Sequence, residues 1–194
     1  MINNFMKRII LASTSPKRKE LLEKAGLIFD VVSCNYEEDM TLDLIPSELA
    51  KFLSRGKAES VAKDFEDAII ISADTFVSFQ NKVIGKPHTE ENARITLRTL
   101  SGNTHSVFTG FTIIDTKENK IISKAFETKV TFKELSDEII HNYIKTGNPL
   151  KYAGSYTLGD IMDKFIEKIE GDHSNIIGLP VDDVMETLKE FDIE

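Results

Sequence analysis

The sequence predicts an α/β fold built on an elongated mixed β-sheet flanked by helices, and three observations carry that expectation. Short β-type runs alternate with helical patterns from the start, as where residues 8–11 precede the helical pattern of 16–25. The run Ala68-Ile69-Ile70-Ile71-Ser72-Ala73 reads as continuously apolar, the mark of a strand covered on both faces. Two long β segments, 105–115 and 121–132, are separated only by Thr116-Lys117-Glu118-Asn119-Lys120. That spacing suits an antiparallel hairpin, which makes the sheet mixed rather than wholly parallel.

The elements follow in order. Residues 8–11 form a first strand; Ser15 caps a helix, Pro16 suits its first position, Leu21, Leu22 and Ala25 give it an apolar face, and Gly26 ends it. Residues 29–33 read as a strand running into Glu37-Glu38-Asp39. Pro46 opens a long helix with Leu49, Phe52, Leu53, Gly56 and Ser60 on one side, and Arg55, Lys57 and Glu59 on others. The apolar strand 68–73 is expected to end at Asp74-Thr75. Gln80-Asn81-Lys82 then turns the chain back through Val83-Ile84 to Gly85-Lys86-Pro87.

Thr89 caps a helix that faces inward with Ala93, Leu97 and Leu100 and stops at Ser101-Gly102. In the second long β segment, Phe126, Thr128, Val130 and Phe132 alternate onto one face. Ser136 starts a helix carrying Ile139, Ile140, Tyr143 and Ile144, Gly147 stops it, and a glycine-bearing loop over 153–160 follows. Residues 164–168 read as a last strand, and Pro180 opens a closing helix striped by Val181, Val184, Met185 and Leu188. No repeat or low-complexity linker interrupts this order, so residues 1–194 are expected to form a single domain.

Composition limits the classes of function. A chain of 194 residues, 41% hydrophobic, can bury a core without disulfides or a structural metal. Cys34 is the only cysteine, and four scattered histidines beside one thiol give no zinc spacing. The start lacks the apolar core of a signal peptide and no apolar run is long enough to span a bilayer, so a soluble cytoplasmic protein without a membrane partner is expected. The net charge of −8 opposes a nucleic-acid polymer as partner, because such binding needs many cations against many phosphates. A small anionic ligand is compatible, provided that cations cluster locally.

They do cluster where strands are expected to end, which is where ligands bind in open α/β sheets. The first end offers Ser13, Lys17 and Arg18 beside a helix start whose free amides suit phosphate; the second offers Glu38; the third offers Asp74 and Thr75. Lys86 adds a cation on a stiff Gly-Lys-Pro turn. Carboxylates without histidine or thiol partners select a hard cation, Mg²⁺ or Mn²⁺, and with lysines and arginine around them they suit a metal-bound polyphosphate. Each residue also has an ordinary reading. The first segment fits a plain β-turn-α unit, Glu38 a solvated acidic run, Lys57 and Lys86 surface lysines, and His105 a structural hydrogen-bonding histidine. Spacing alone does not bring these residues together.

The segments Leu11-Ala12-Ser13-Thr14-Ser15-Pro16-Lys17-Arg18, Glu37-Glu38, Lys57-Ala58, Ala73-Asp74-Thr75, Gly85-Lys86-Pro87, Leu100-Ser101-Gly102, His105-Ser106-Val107, Ala153-Gly154-Ser155-Tyr156 and Gly178-Leu179-Pro180 occur in that order. In them the chain resembles the Maf family of nucleoside triphosphate pyrophosphatases, once described as septum-formation inhibitors. The resemblance covers nearly the whole chain. It implies a fold similar to inosine triphosphate pyrophosphatases, with a cleft between two lobes. The activity it implies is house-cleaning hydrolysis of a nucleoside triphosphate to the monophosphate and pyrophosphate with Mg²⁺ or Mn²⁺. It also implies Asp74 as the catalytic aspartate, Ser13 and Arg18 on phosphate, Glu38 as acidic partner, and Lys57 and Lys86 as the two lysines; Glu38 and Asp74 are then expected to hold the metal. Members commonly pair as homodimers, a state the sequence leaves open here.

Departures from the family pattern bear on the base. The dTTP/UTP branch carries two arginines in its first motif, a threonine after the aspartate and a glutamine in the glycine loop. Here Lys17 replaces the first arginine, Thr75 agrees, and Gly159, followed by Asp160, stands at the glutamine position. The 7-methyl-GTP branch's tryptophan, glutamine and glutamate are missing. The chain therefore leans to dTTP/UTP with a relaxed or altered base preference, since glycine offers no side-chain hydrogen bonds to a base edge. Two rival readings stand beside this one: a nucleotide-responsive regulator of cell division with little or no catalysis, and a phosphatase that releases single phosphates.

Overall fold

The computed structural model describes residues 7–191. Seven strands form one mixed sheet in the order β2-β1-β3-β5-β6-β7, with β4 paired to β3. The strands are β1 (Arg8–Ala12), β2 (Asp30–Val32), β3 (Ala68–Phe79), β4 (Lys82–Ile84), β5 (Thr104–Asp115), β6 (Lys120–Phe132) and β7 (Ile166–Glu170). Helices α1 (Pro16–Lys24), α2 (Pro46–Ala62), α3 (Glu90–Leu100), α4 (Asp137–Ile144), α5 (Leu158–Phe165), α6 (His173–Ile177) and α7 (Val181–Leu188) complete the α/β architecture. β1 pairs in parallel with both β2 and β3, whereas β3/β4 and β6/β7 are antiparallel. The mixed α/β sheet expected from the sequence is therefore present.

The chain divides into two compact units. The first comprises the chain up to Asp74, Thr109–Phe126 and the chain from Gly178; the second comprises Thr75–Phe108 and Glu127–Ile177. In the first unit the strand period of two sorts the core into two clusters. Ile9, Leu11, Ile69, Ile71, Ala73, Phe111 and Ile113 pack with Leu22 of α1 and with Leu179, Val184 and Leu188 at α7. Ile10, Ala12, Ala68, Ile70 and Ile114 pack with Ala58 and Val61 of α2. The first strand of the sheet is thus covered on both faces, as its apolar run requires.

Helix α2 lies against this second face, and its approach is close. A Cβ placed on Gly110 of β5 would come within 2.1 Å of the Ala50 carbonyl oxygen of α2. Hydroxyls serve the same contact. Ser54 shares a 2.9 Å hydrogen bond with Thr112 Oγ1, and Ser72 donates to the Ser54 carbonyl at 2.5 Å. The buried face of α2 is therefore Leu49, Ala50, Leu53, Ser54, Lys57, Ala58 and Val61, and Phe52 is 46% exposed. This corrects the expected helix face: the stripe is turned toward Lys57 because the surface it meets is part hydroxyl and part carboxylate.

The second unit has a separate core in which Val77, Ala93, Leu97, Leu100, Val107, Val130, Phe132, Ile140, Tyr143, Tyr156 and Phe165 are buried. Thr89 and Ser136 cap α3 and α4 by accepting from the amides of Asn92 and Ile139. Gln80 and Asn81 both take positive φ in the β3-β4 turn, at 50° and 62°. His105 accepts or donates at Nε2 to the Tyr156 hydroxyl, 2.7 Å away, and is buried against Phe132, the structural role expected of it. Other details differ from expectation. Ala25 is exposed at the end of α1; helix α5 begins at Leu158 inside the expected glycine loop, which shifts the last sheet strand to Ile166; and α6 is an additional element. Among the described residues no helix is long and apolar enough to cross a membrane.

Candidate active site

Asp74 was expected where β3 stops, yet β3 continues to Phe79. The neighbouring strand stops instead. Leu11 of β1 is in register with Ile71 of β3, and β1 ends at Ala12, so the backbone beside Asp74 has lost its parallel partner. Beyond Phe76 the strand pairs with β4, with Val77 opposite Ile84. Parity places the Asp74 side chain with Ser72 and Ile70, on the face that α2 covers, and sends Thr75 to the opposite face. An aspartate 5% exposed on that face needs a cation.

Lys57 supplies it from the buried side of α2. Its Nζ donates to Asp74 Oδ1 and also lies 2.7 Å from Glu38 Oε1. The lysine and aspartate side chains are 10% and 7% exposed, whereas Glu38 is 45% exposed at the open end of the cluster. Burial alone would lower the Lys57 ammonium, but the charge of Asp74 and the hydrogen bonds to Asp74 and Glu38 outweigh it and hold the group above its ordinary value. Lys57 is therefore a fixed cation bridging two carboxylates. The solvated-helix reading of this lysine does not describe it.

The start of α1 forms the neighbouring wall. Ser15 caps the helix by accepting from the Arg18 amide, and Pro16 occupies its first turn, as the sequence predicts. Ser13, 5% exposed, accepts at Oγ from the Ser15 amide and from Arg18 Nη1, each at 3.2 Å. Arg18 Nε donates to the Gly178 carbonyl at 2.8 Å, so the guanidinium is aimed by the backbone that leads into α7 as well as by Ser13. Desolvation lowers the Arg18 guanidinium from its ordinary value while the charges of Asp74 and Glu38 push it back up, which places arginine and carboxylates within one field. Lys17 lies half-buried on the first turn of the same helix.

The first unit thus brings together Ser13, Arg18, Glu38, Lys57 and Asp74. Thr75, Lys86 and Gly159 belong to the second unit: Thr75 follows Asp74 in β3, Lys86 is exposed after β4, and Gly159 is exposed in the first turn of α5. The Asp160 side chain lies outside the described residues. One neighbour of the cluster went unread in the sequence. The ring of Tyr36 rests on Gly56, next to Lys57, and its phenol is pushed up by burial and by the carboxylates of Asp39, Asp74 and Glu38. A glycine inside a helical pattern was its only sequence signal.

Two carboxylates, two cations and a capped helix start at the end of a parallel strand pair give this α/β protein a site whose chemistry suits a phosphorylated ligand. The particular family follows from sequence comparison: the chain belongs to the Maf family, matching the Maf-like protein description over residues 8–191. A protein of Thermoanaerobacter pseudethanolicus named dTTP/UTP pyrophosphatase is 46% identical over 188 residues, covering 96% of this chain and 98% of that protein. A Bacillus cereus protein of the same name is 41% identical over 189 residues, covering 97% and 98%. Among solved structures, the Ham1 protein of Staphylococcus aureus overlays with a TM-score of 0.44 at 13% identity, over 65% of this chain and 72% of that one.

Proposed function

We propose that this chain is a nucleoside triphosphate pyrophosphatase that acts on dTTP- and UTP-like substrates. The observation that carries the reading is the ammonium of Lys57 held between Asp74 and Glu38, beside an arginine fixed on Ser13 at a helix start. Phosphoryl transfer needs little covalent chemistry from a protein; it needs positioned positive charge and an oriented water. Water attacks the α-phosphorus, the bond to the α,β-bridging oxygen breaks, and pyrophosphate leaves with the nucleoside monophosphate as the other product. Asp74 takes the proton of the attacking water. Arg18 and Lys57 stabilise the charge that spreads over the phosphates, and Ser13 with the first turn of α1 orients them.

Glu38 and Asp74 are the residues that would hold a Mg²⁺ or Mn²⁺. Among the described residues no group of three or more metal-ligating side chains forms a protein cage. Two carboxylates suit a hard cation whose remaining positions are filled by substrate phosphates and water. Such an ion, when bound, neutralises phosphate charge. The parts assigned to Lys86, Thr75 and Lys17 rest on the family resemblance. Gly159, where a glutamine would reach a base edge, supports a base preference looser than that of the dTTP/UTP relatives.

The test is to incubate the purified protein with a panel of common and modified nucleoside triphosphates plus Mg²⁺ or Mn²⁺ and to identify the products. Monophosphate with pyrophosphate, fastest from pyrimidine substrates, is the expected result. Orthophosphate would point to a phosphatase, and no turnover across the panel to a nucleotide-responsive regulator.

A further inference from the structure

Helix α2 carries a glycine in its interior, Gly56, at a cost in helix stability relative to alanine. The reason lies outside the helix. A Cβ at this position would lie 2.2 Å from Tyr36 Cζ, 2.3 Å from Cε2 and 2.6 Å from Oη, so only glycine lets the ring rest on the helix backbone. Gly56 immediately precedes Lys57, and Tyr36 precedes Glu38 by two residues. Residues 33–39 belong to no helix or strand, and Glu38 is exposed there. The Glu38 end of its pair with the buried Lys57 is open to solvent, which weakens the pair as a hold on the loop. Immediately after Glu38 the chain is stiffened by Asp39, which accepts from the Thr41 amide at 2.9 Å and its hydroxyl at 2.6 Å.

We propose that the seat of Tyr36 on Gly56 is a positioning device that pins the Glu38 loop to α2, holding Glu38 Oε1 2.7 Å from Lys57 Nζ and ready for the cation that accompanies the triphosphate. Tyr36 is a positioning residue that acts through Glu38, and the inference rests on the role of Glu38 proposed above. The ring, not the hydroxyl, does the pinning. Replacing Gly56 by alanine favours the helix but evicts the ring, so helix stability and site function should move in opposite directions.

The experiment compares wild type with Glu38→Gln, Tyr36→Ala, Tyr36→Phe, Gly56→Ala and the double variant Tyr36→Ala/Glu38→Gln. It measures kcat and KM for UTP, thermal unfolding, and Mn²⁺ binding in the presence of an α,β-imido nucleotide that cannot turn over. Tyr36→Ala and Gly56→Ala should weaken Mn²⁺ binding and lower kcat/KM roughly tenfold or more, with an unfolding temperature close to wild type for Tyr36→Ala and at or above it for Gly56→Ala. Tyr36→Phe should stay within about twofold of wild type, and the double variant should be no worse than Glu38→Gln. A Tyr36→Ala loss that is as large in the Glu38→Gln background as in wild type, or unchanged Mn²⁺ binding in both Tyr36→Ala and Gly56→Ala, overturns the positioning role while leaving the site intact. Wild-type behaviour of Glu38→Gln overturns the site reading itself, and this inference with it.

Discussion

The ammonium of Lys57 is buried with two carboxylates upon it, so its removal strands a charge as well as the proposed phosphate contact. Lys57→Met should destabilise the protein by about 3 kcal/mol, because Asp74 is left buried without its cation. For a chain of this size that is a fall in unfolding temperature of roughly 10 °C, measurable by calorimetry; an unchanged temperature would mean that Asp74 is solvated. Asp74→Asn is a milder change, since Lys57 keeps Glu38. It should leave the unfolding temperature near wild type and cut turnover by roughly 10²- to 10⁴-fold in a steady-state assay. The residues Ser13, Arg18 and Asp74 were legible as chemistry before any coordinate, because hydroxyl, cation and helix start fall within six positions and an acid follows an apolar run. Lys57 was legible only through the family resemblance. Its burial depends on Asp74 and Glu38, which lie on other elements, and no helix pattern in one sequence carries that information.

Elements carry those residues, and here the strand and helix periods explain both what was read and what was missed. The caps Ser15, Thr89 and Ser136 were legible because capping is local chemistry, and each accepts the amide three residues on. The length of β3 was not, since the strand runs on beside β5 and β4 after β1 has ended, and those pairings are not local in the sequence. The tilt of the α2 stripe was misjudged for a related reason: Ser54 and Lys57 face hydroxyls and a carboxylate, so an apolar count turns the helix toward Phe52. Gly110 tests this contact. A Cβ there meets the Ala50 backbone, which has no rotamer by which to yield, so Gly110→Ala should displace α2, cost about 1–3 kcal/mol in denaturant titration and lower turnover through Lys57. An unchanged midpoint would show that α2 packs less closely on β5.

Over the whole molecule, stability should depend on pH through a residue far from the chemistry in sequence role. His105 is 2% exposed, bonded at Nε2 to Tyr156 and without a partner at Nδ1 among the described residues, and burial pulls it down to about 4 from an ordinary 6.5. Between those values the unfolded chain binds the extra proton, so stability is complete above about pH 6.5 and is lost as pH falls toward 4. The loss amounts to about 3 kcal/mol, read from denaturant titrations at pH 7 and pH 4. His105→Phe should flatten that part of the profile; an unaltered slope would assign the acid sensitivity elsewhere.

At the same scale, the site is built from a strand end, a loop and two helices of the first unit, and its central claim is attack at the α-phosphorus. Hydrolysis of UTP in ¹⁸O-labelled water, followed by mass analysis of the products, tests it most directly. Attack at that atom puts the label in the nucleoside monophosphate and none in pyrophosphate; label in pyrophosphate, or in released orthophosphate, would rule this mechanism out.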